Sequence, residues 1–342
     1  MLGHAPLRRT AALLTILALW LLAATPLPAA PVTTEDVKDI FRSVVTVETE
    51  VPAGARTATG LGRERRGAGV LIDESGLVLT IGYLILEATS VSVIDADGRR
   101  IPADIVAYDH ETGFGLVRAL LPIDVKPIEI GSSETVQPGN PVLALGGGGP
   151  RPLTPQRVAD RRPFAGYWEY LLENAIFTSP PHPGFGGAPL IDIEGKLVGI
   201  GSLYVGDAVQ GPSPIPGNMF VPVDLLGPIL ADLLENGRRT GPAQPWLGVN
   251  VNETGGRVFV TRVMDDSPAE SAGIRRGDII MGVGGRTVHG MIDFFRKVRD
   301  QGDAGTDIPV DILSAESTDL SIDRRTVHSL NRLDWLEREK GL

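Results

Sequence analysis

The sequence contains no cysteine. That excludes a disulfide scaffold, a zinc centre built on thiolates and a thiol nucleophile. Basic side chains are in deficit, 32 Lys and Arg against 42 Asp and Glu, for a net charge of −10. A nucleic-acid binder needs a basic face to displace counterions from phosphates, so this balance argues against that class. Apolar runs of membrane-spanning length are missing too: the stretch Ala11 to Ala24 has fourteen residues where about 20 are needed. There is no long internal repeat and no low-complexity block. What is present suffices for folding. Hydrophobic residues make up 42% of the 342, which excludes a disordered tail protein, and the length predicts about two domains. Glycine (42) and proline (27) are abundant without a collagen period, a composition that fits many short strands joined by turns.

Residues 1–30 read as a signal peptide: Arg8 and Arg9, then the apolar run, then a proline-broken stretch ending in Ala29 and Ala30. Its removal leaves 30 basic against 42 acidic side chains, a net charge of −12. The expected compartment is periplasmic or secreted, with membrane anchoring as the outcome if the signal stays uncut. From Val44 to about Tyr204, short β-rich runs separated by turn residues predict an all-β sandwich or barrel. The turns DESG, DADG and IEGK join neighbouring runs and predict hairpins. Between Val223 and Asn236 the apolar spacing becomes helical, through Leu225, Leu226, Ile229, Leu230, Leu233 and Leu234, with Gly237 as the expected C-terminal cap.

The stretch Asn236 to Pro245 mixes glycine, proline and charge without periodicity, which places a domain boundary there. Beyond it, the strand-like runs WLGVNV, RVFVTRV and DIIMGVGGRTV form a smaller unit. Ser267 is expected to cap a short helix with Pro268 at its first position. A second helix is expected from Met291 to Asp300, with Ile292, Phe295 and Val298 on one face, and IPVDIL reads as the last strand. The resulting division is 31–238, a linker at 239–245, 246–320, and a tail at 321–342. Leu330, Leu333, Trp335 and Leu336 allow a short docked helix in that tail, but a solvated, frayed end is the expectation.

Three segments, in this order, carry a resemblance. GAGVLIDESGLVLT (Gly67 to Thr80) is similar to a strand pair of the HtrA/Deg family of periplasmic serine proteases. NMFVPVDLL (Asn218 to Leu226) is similar to the run entering that family's last protease-domain helix, and WLGV followed by SPAESAGIRRGDIIMGVGGRTV to its PDZ unit. The similarity extends from about Phe41 to Leu313. It implies an all-β dominated fold, a chymotrypsin/trypsin-like double β-barrel followed by a small α+β PDZ domain.

The same resemblance exposes a chemical gap. A hydrolase of this type needs a serine oxygen, a histidine to take its proton and a carboxylate to hold the imidazole. Where the family has its histidine, in T-N-x-H-V-V, this chain has Tyr83. Tyrosine, with an ordinary pKa of about 10, is protonated at neutral pH and is a poor general base. Where the family has its carboxylate, in T-D-L-A-V-L-K, stands Gly113; where it has its nucleophile, in N-P-G-N-S-G-G-P-L, stands Gly186. The resemblance therefore implies a catalytically degenerate protease, with no cofactor and no metal. The turn Gly184 to Gly187 retains backbone N–H groups for an anion-binding nest, or is simply a tight turn. The alternative is a serine-type endopeptidase with non-standard groups, for which His182, Ser179 and Thr178 are the candidates. A metal site of His110 and His182 with Asp109 or Glu111 is a weaker alternative, because no pair has i, i+4 spacing.

PDZ binding does not depend on the triad. A PDZ groove captures a chain end by strand addition, with the terminal carboxylate held by successive amides of a hydrophobic-Gly-hydrophobic loop. The resemblance assigns that loop to Leu247, Gly248 and Val249, and Ile292 and Phe295 to the groove's helical wall, with ordinary core packing as the competing role for those two. The expected partners are protein C-termini or unfolded polypeptides, an active HtrA-type protease, and copies of the chain itself in a trimer; nucleic acid is not expected.

Overall fold

The computed structural model describes residues 34–147, 153–317 and 321–337. The expected signal peptide lies outside them. Helix α1 (Thr34–Ser43) leads into a closed six-stranded barrel of β1 (Val44–Glu50), β2 (Glu64–Leu71), β3 (Leu77–Ile81), β4 (Ser90–Ile94), β5 (Arg100–Tyr108) and β6 (Phe114–Ala119), hydrogen-bonded in the order β1-β2-β3-β6-β5-β4. A short helix α2 (Ala58–Leu61) lies between β1 and β2. The second barrel comprises β7 (Pro141–Leu145), β8 (Leu153–Gly166), β9 (Tyr170–Ser179), β10 (Pro189–Ile191), β11 (Leu197–Val209) and β12 (Ile215–Pro222), in the order β10-β11-β12-β9-β8-β7. One apolar cluster runs across both barrels, from Val44, Val78 and Phe114 to Phe177, Ile200 and Val221. The two barrels thus share a core rather than merely touching.

The three expected hairpins form, and one device builds each. Asp73 Oδ1 accepts the N–H groups of Ser75 and Leu77 between β2 and β3. Asp95 Oδ1 does the same for Asp97 and Arg99 between β4 and β5, and Asp192 Oδ1 for Glu194 and Lys196 between β10 and β11. A short acidic side chain bonding to backbone two and four residues on closes a turn before the strands have paired. The helix expected over Val223 to Asn236 is interrupted. A 3-10 turn at Val223–Leu225 precedes helix α3 (Leu230–Asn236), because Pro228 lacks an N–H and disfavours helical backbone at Gly227. Gly237 caps α3 in the left-handed conformation as expected.

The second unit is a sheet of β13 (Val249–Thr254), β14 (Arg257–Val263), β15 (Ile279–Val283), β17 (Asp307–Leu313) and β18 (Ile322–His328) in the order β13-β14-β15-β17-β18, with β16 (Arg286–Thr287) on β15. Helices α4 (Pro268–Ser271) and α5 (Met291–Arg299) pack on it. Ser267 Oγ accepts the Glu270 N–H, the expected cap, with Pro268 at the first helical position. The expectation of a solvated end after 320 is corrected. Ile322–His328 pairs with β17 along its whole length, Val327 is fully buried, and helix α6 (Arg332–Glu337) buries Trp335 against Trp246, with ring centroids 4.6 Å apart. Three of the seven β18 residues are charged, which suits an exposed edge strand but hides it from an apolar-alternation reading. The segment 239–245 is pinned to the first barrel, where Arg239 pairs with Asp109 (3.0 Å) and Glu111 (3.2 Å).

Candidate functional site

Tyr83 and Gly113, with Phe185 from the turn that holds Gly186, line a cavity of about 440 Å³ where the barrels, the second unit and α6 meet. Tyr83 follows β3 in a one-turn 3-10 helix whose Gly82 N–H donates to Gly113 O at 2.7 Å. Its backbone is held from β2: Arg65, with its side chain almost wholly enclosed, donates from Nη1 to Tyr83 O (2.8 Å) and Leu86 O (2.9 Å). The phenol donates to Ser202 O at 3.1 Å, and a Cβ placed on Gly186 would stand 2.7 Å from its hydroxyl oxygen. Burial pushes the Tyr83 pKa well above its ordinary value, so the group stays a donor. At Gly113 the backbone is left-handed, with φ +83°, and a Cβ would meet the Tyr170 hydroxyl at 3.2 Å. That hydroxyl donates to Thr112 O. Two tyrosine hydroxyls therefore cover the places where side chains at 113 and 186 would begin.

Most nearby polar groups are engaged elsewhere, whereas the buried ring nitrogens His110 Nδ1 and His182 Nε2 have no partner among the described residues. Asp109 accepts from Thr112 N–H (2.9 Å), Thr112 Oγ1 (2.6 Å) and Arg239. Glu111 pairs with Arg239 and accepts the Gln244 N–H. His182 is fully buried, with Nδ1 2.8 Å from Thr154 Oγ1 and its backbone N–H donating to Asn218 Oδ1 at 2.6 Å; burial lowers its pKa. Ser179 Oγ donates to Pro216 O (3.0 Å) and Thr178 Oγ1 to Gln156 Oε1 (3.0 Å). His110 lines the cavity that His182 does not reach; burial first and Arg332 second hold it down to about 4. Among the described residues, no group of three or more His, Asp or Glu is arranged to hold a metal. In the turn Gly184 to Gly187, the Gly187 N–H is committed to Gly201 O (2.8 Å), and Gly186 O accepts the Ala68 N–H. A Cβ on Gly184 would meet His182 Nε2 at 3.2 Å.

The Leu247–Val249 loop holds a carboxylate, and it comes from this chain. Glu169 Oε2 accepts the Leu247 N–H (2.8 Å), and Oε1 accepts those of Gly248 (2.6 Å) and Val249 (2.8 Å). Gly248 permits this approach: its φ is +88°, and a Cβ there would collide with Ser267. Glu169 sits in the turn joining β8 to β9, itself at φ +60°. The residue is half-buried while its carboxyl lies deep against the loop. Loss of water there pushes its pKa up to about 7, against the three amide bonds and Arg332, which favour the charged form. On the helical wall, Phe295 lines the small cavity beside Glu169 together with Val298 and Arg299; Ile292, expected there, is half-buried and does not. Nothing in the sequence pattern singled out Glu169. The only signal is an acidic residue set within the aromatic run Tyr167, Trp168, Tyr170, outside any alternation.

Both domains have counterparts among known proteins. A trypsin-like peptidase domain matches residues 67–200 and a PDZ domain residues 259–312. The fold and site thus define a protein that joins a trypsin-like peptidase domain to a PDZ domain. The chain is similar to proteins named as HtrA-type serine proteases. It is 24% identical to "Serine protease HTRA1" of Xenopus tropicalis over 318 residues, covering 81% of this chain and 64% of that protein. It is 28% identical to "Probable periplasmic serine endoprotease DegP-like" of Marinomonas sp. over 246 residues, covering 66% of this chain and 50% of that one. The chain therefore spans between half and two-thirds of the length of these relatives. Among solved structures, "HtrA-type protease AlgW with decapeptide" superposes with a TM-score of 0.52 at 20% identity, over 87% of this chain and 98% of that one.

Proposed function

We propose that this chain is a non-catalytic HtrA-like protein that works outside the cytoplasm and binds polypeptide C-termini or unfolded segments through its PDZ domain. Its role is that of an adaptor, chaperone-like factor or regulator of an active HtrA-type protease. The observation that carries the reading is Gly186 under the Tyr83 hydroxyl: position 186 itself offers no side-chain oxygen to attack a carbonyl, and the group beside it is a protonated phenol. In a serine protease of known energetics, loss of the nucleophile or the base alone lowers turnover by about 10⁶. The periplasmic names of relatives support the compartment, and the decapeptide bound to AlgW supports peptide capture. Association into a trimer belongs to the same reading, and light scattering on the purified chain measures it.

The rival reading, a serine endopeptidase with non-standard groups, draws on relatives that are named as proteases. It is not favoured by the geometry, since Ser179 donates to Pro216 O and His182 pairs with Thr154. Casein and reporter-peptide hydrolysis by the purified chain, with a fluorophosphonate probe for a reactive serine, decides between them. The expected result is neither turnover nor labelling. Robust turnover that disappears in Ser179→Ala or His182→Ala would establish the rival.

A further inference from the structure

The tip of the β8–β9 hairpin meets the second domain in the manner of a bound chain end. Three successive amides of one loop converge on a single carboxylate, the arrangement a terminal carboxylate requires. Two residues earlier, Tyr167 O accepts the Val251 N–H at 2.9 Å, a strand-addition bond to β13. Two residues later, Leu171 is buried in the same apolar cluster as Leu247, Val249 and Phe295. Arg299 Nη2 donates to Leu171 O (3.0 Å), and Arg296 forms an ion pair with Glu173, so α5 grips the hairpin from the other side. The space left between Glu169 and α5 is about 20 Å³, room for a water molecule and not for a peptide. Glu169 closes the three-residue loop between Gly166 and Tyr170 at φ +60°, the left-handed position that such hairpin turns use, and from there its carboxylate meets the Leu247–Val249 amides.

We propose that Glu169 and Leu171 act as an internal ligand of the PDZ groove, the Glu169 side-chain carboxylate standing in for a chain terminus, so that an external C-terminus binds only by displacing the hairpin. The proposal rests on the reading of the PDZ domain as a C-terminus binder and adds its regulation. When only a fraction of molecules has the groove open, apparent affinity falls by that fraction, and removing the internal ligand restores it.

The test titrates a fluorescein-labelled peptide ending in Val-Leu, with a free carboxylate or as its amide, against the full chain and its Glu169→Gln and Glu169→Ala variants. Glutamine keeps the size but offers one acceptor oxygen and turns an NH₂ towards the amides. The variants are expected to bind the free-carboxylate peptide about tenfold or more tighter than the parent, and the amide no better. Equal affinity in all three chains overturns the internal ligand and leaves C-terminus binding intact. If no chain binds the peptide, it is the C-terminus reading that fails. Hydrogen exchange then judges the internal ligand: the Leu247, Gly248 and Val249 amides should exchange about tenfold faster in Glu169→Gln, and unchanged protection overturns the proposal. Exchange also covers the case in which Glu169→Ala does not fold.

Discussion

A phenol at position 83 changes what that corner of the fold does with a proton. An imidazole there would exchange one near neutral pH, whereas Tyr83 keeps its own and places it on Ser202 O. Gly113 makes a complementary change through space and backbone. Any residue with a Cβ must adopt φ near +83° against the Tyr170 hydroxyl. Gly113→Ala should therefore cost about 1–3 kcal/mol from the left-handed backbone and the crowded contact, read from urea unfolding midpoints. A variant as stable as the parent would show that the Tyr170 contact yields freely. The identities at 83, 113 and 186 were legible in the sequence, because the surrounding segments hold them in register with a known pattern. Glu169 was not, because its meaning depends on a loop about eighty residues away that only folding brings to it.

Among the elements, the turns were the most legible. An aspartate bonding to amides two and four residues on is a local interaction, so DESG, DADG and the turn after Asp192 carry their own instructions. The helix broken at Pro228 was readable in the same local way and was missed because leucine periodicity on either side masked it. Strand β18 and helix α6 are the opposite case. They exist because β17 offers an unpaired edge and Trp246 an aromatic face, neither visible in residues 321–337 themselves. Trp335 packs on Trp246 with the rings tilted at 43°, sits 4.5 Å below the Arg56 guanidinium and donates from Nε1 to Asp265 O. Trp335→Ala should lower the unfolding free energy by about 3 kcal/mol in a urea titration, the lower end for a buried tryptophan. A solvated tail would lose nothing.

At the scale of the whole molecule, the hairpin between β8 and β9 ties the second barrel to the PDZ domain, and the tie is expected to depend on pH. Glu169 has an ordinary value near 4.5 and is raised to about 7 when docked. A raised carboxyl contributes fully below its undocked value, and that contribution is lost as pH rises through 7. The groups facing it are His110, held down to about 4 and so neutral above pH 5, and the guanidinium groups of Arg299 and Arg332. Glu111, raised by burial, is common to parent and variant. The parent should therefore lose stability relative to Glu169→Gln between pH 5 and pH 7.5, measured as the difference in urea midpoints; a flat difference would count against the docked carboxyl. What the sequence by itself determined was local or patterned: β-rich runs, Asp-closed turns, the serine helix cap, the two-domain order, and the absence of oxygen at 186 and imidazole at 83. What only the tertiary structure decided was which distant groups meet, namely Glu169 with the Leu247–Val249 amides, two tyrosine hydroxyls over two glycines, and a polar strand on an open edge. The physical reason is the same in each case. Local hydrogen bonds and spacing are written along the chain, whereas a long-range contact depends on the partner surface, which no single segment encodes.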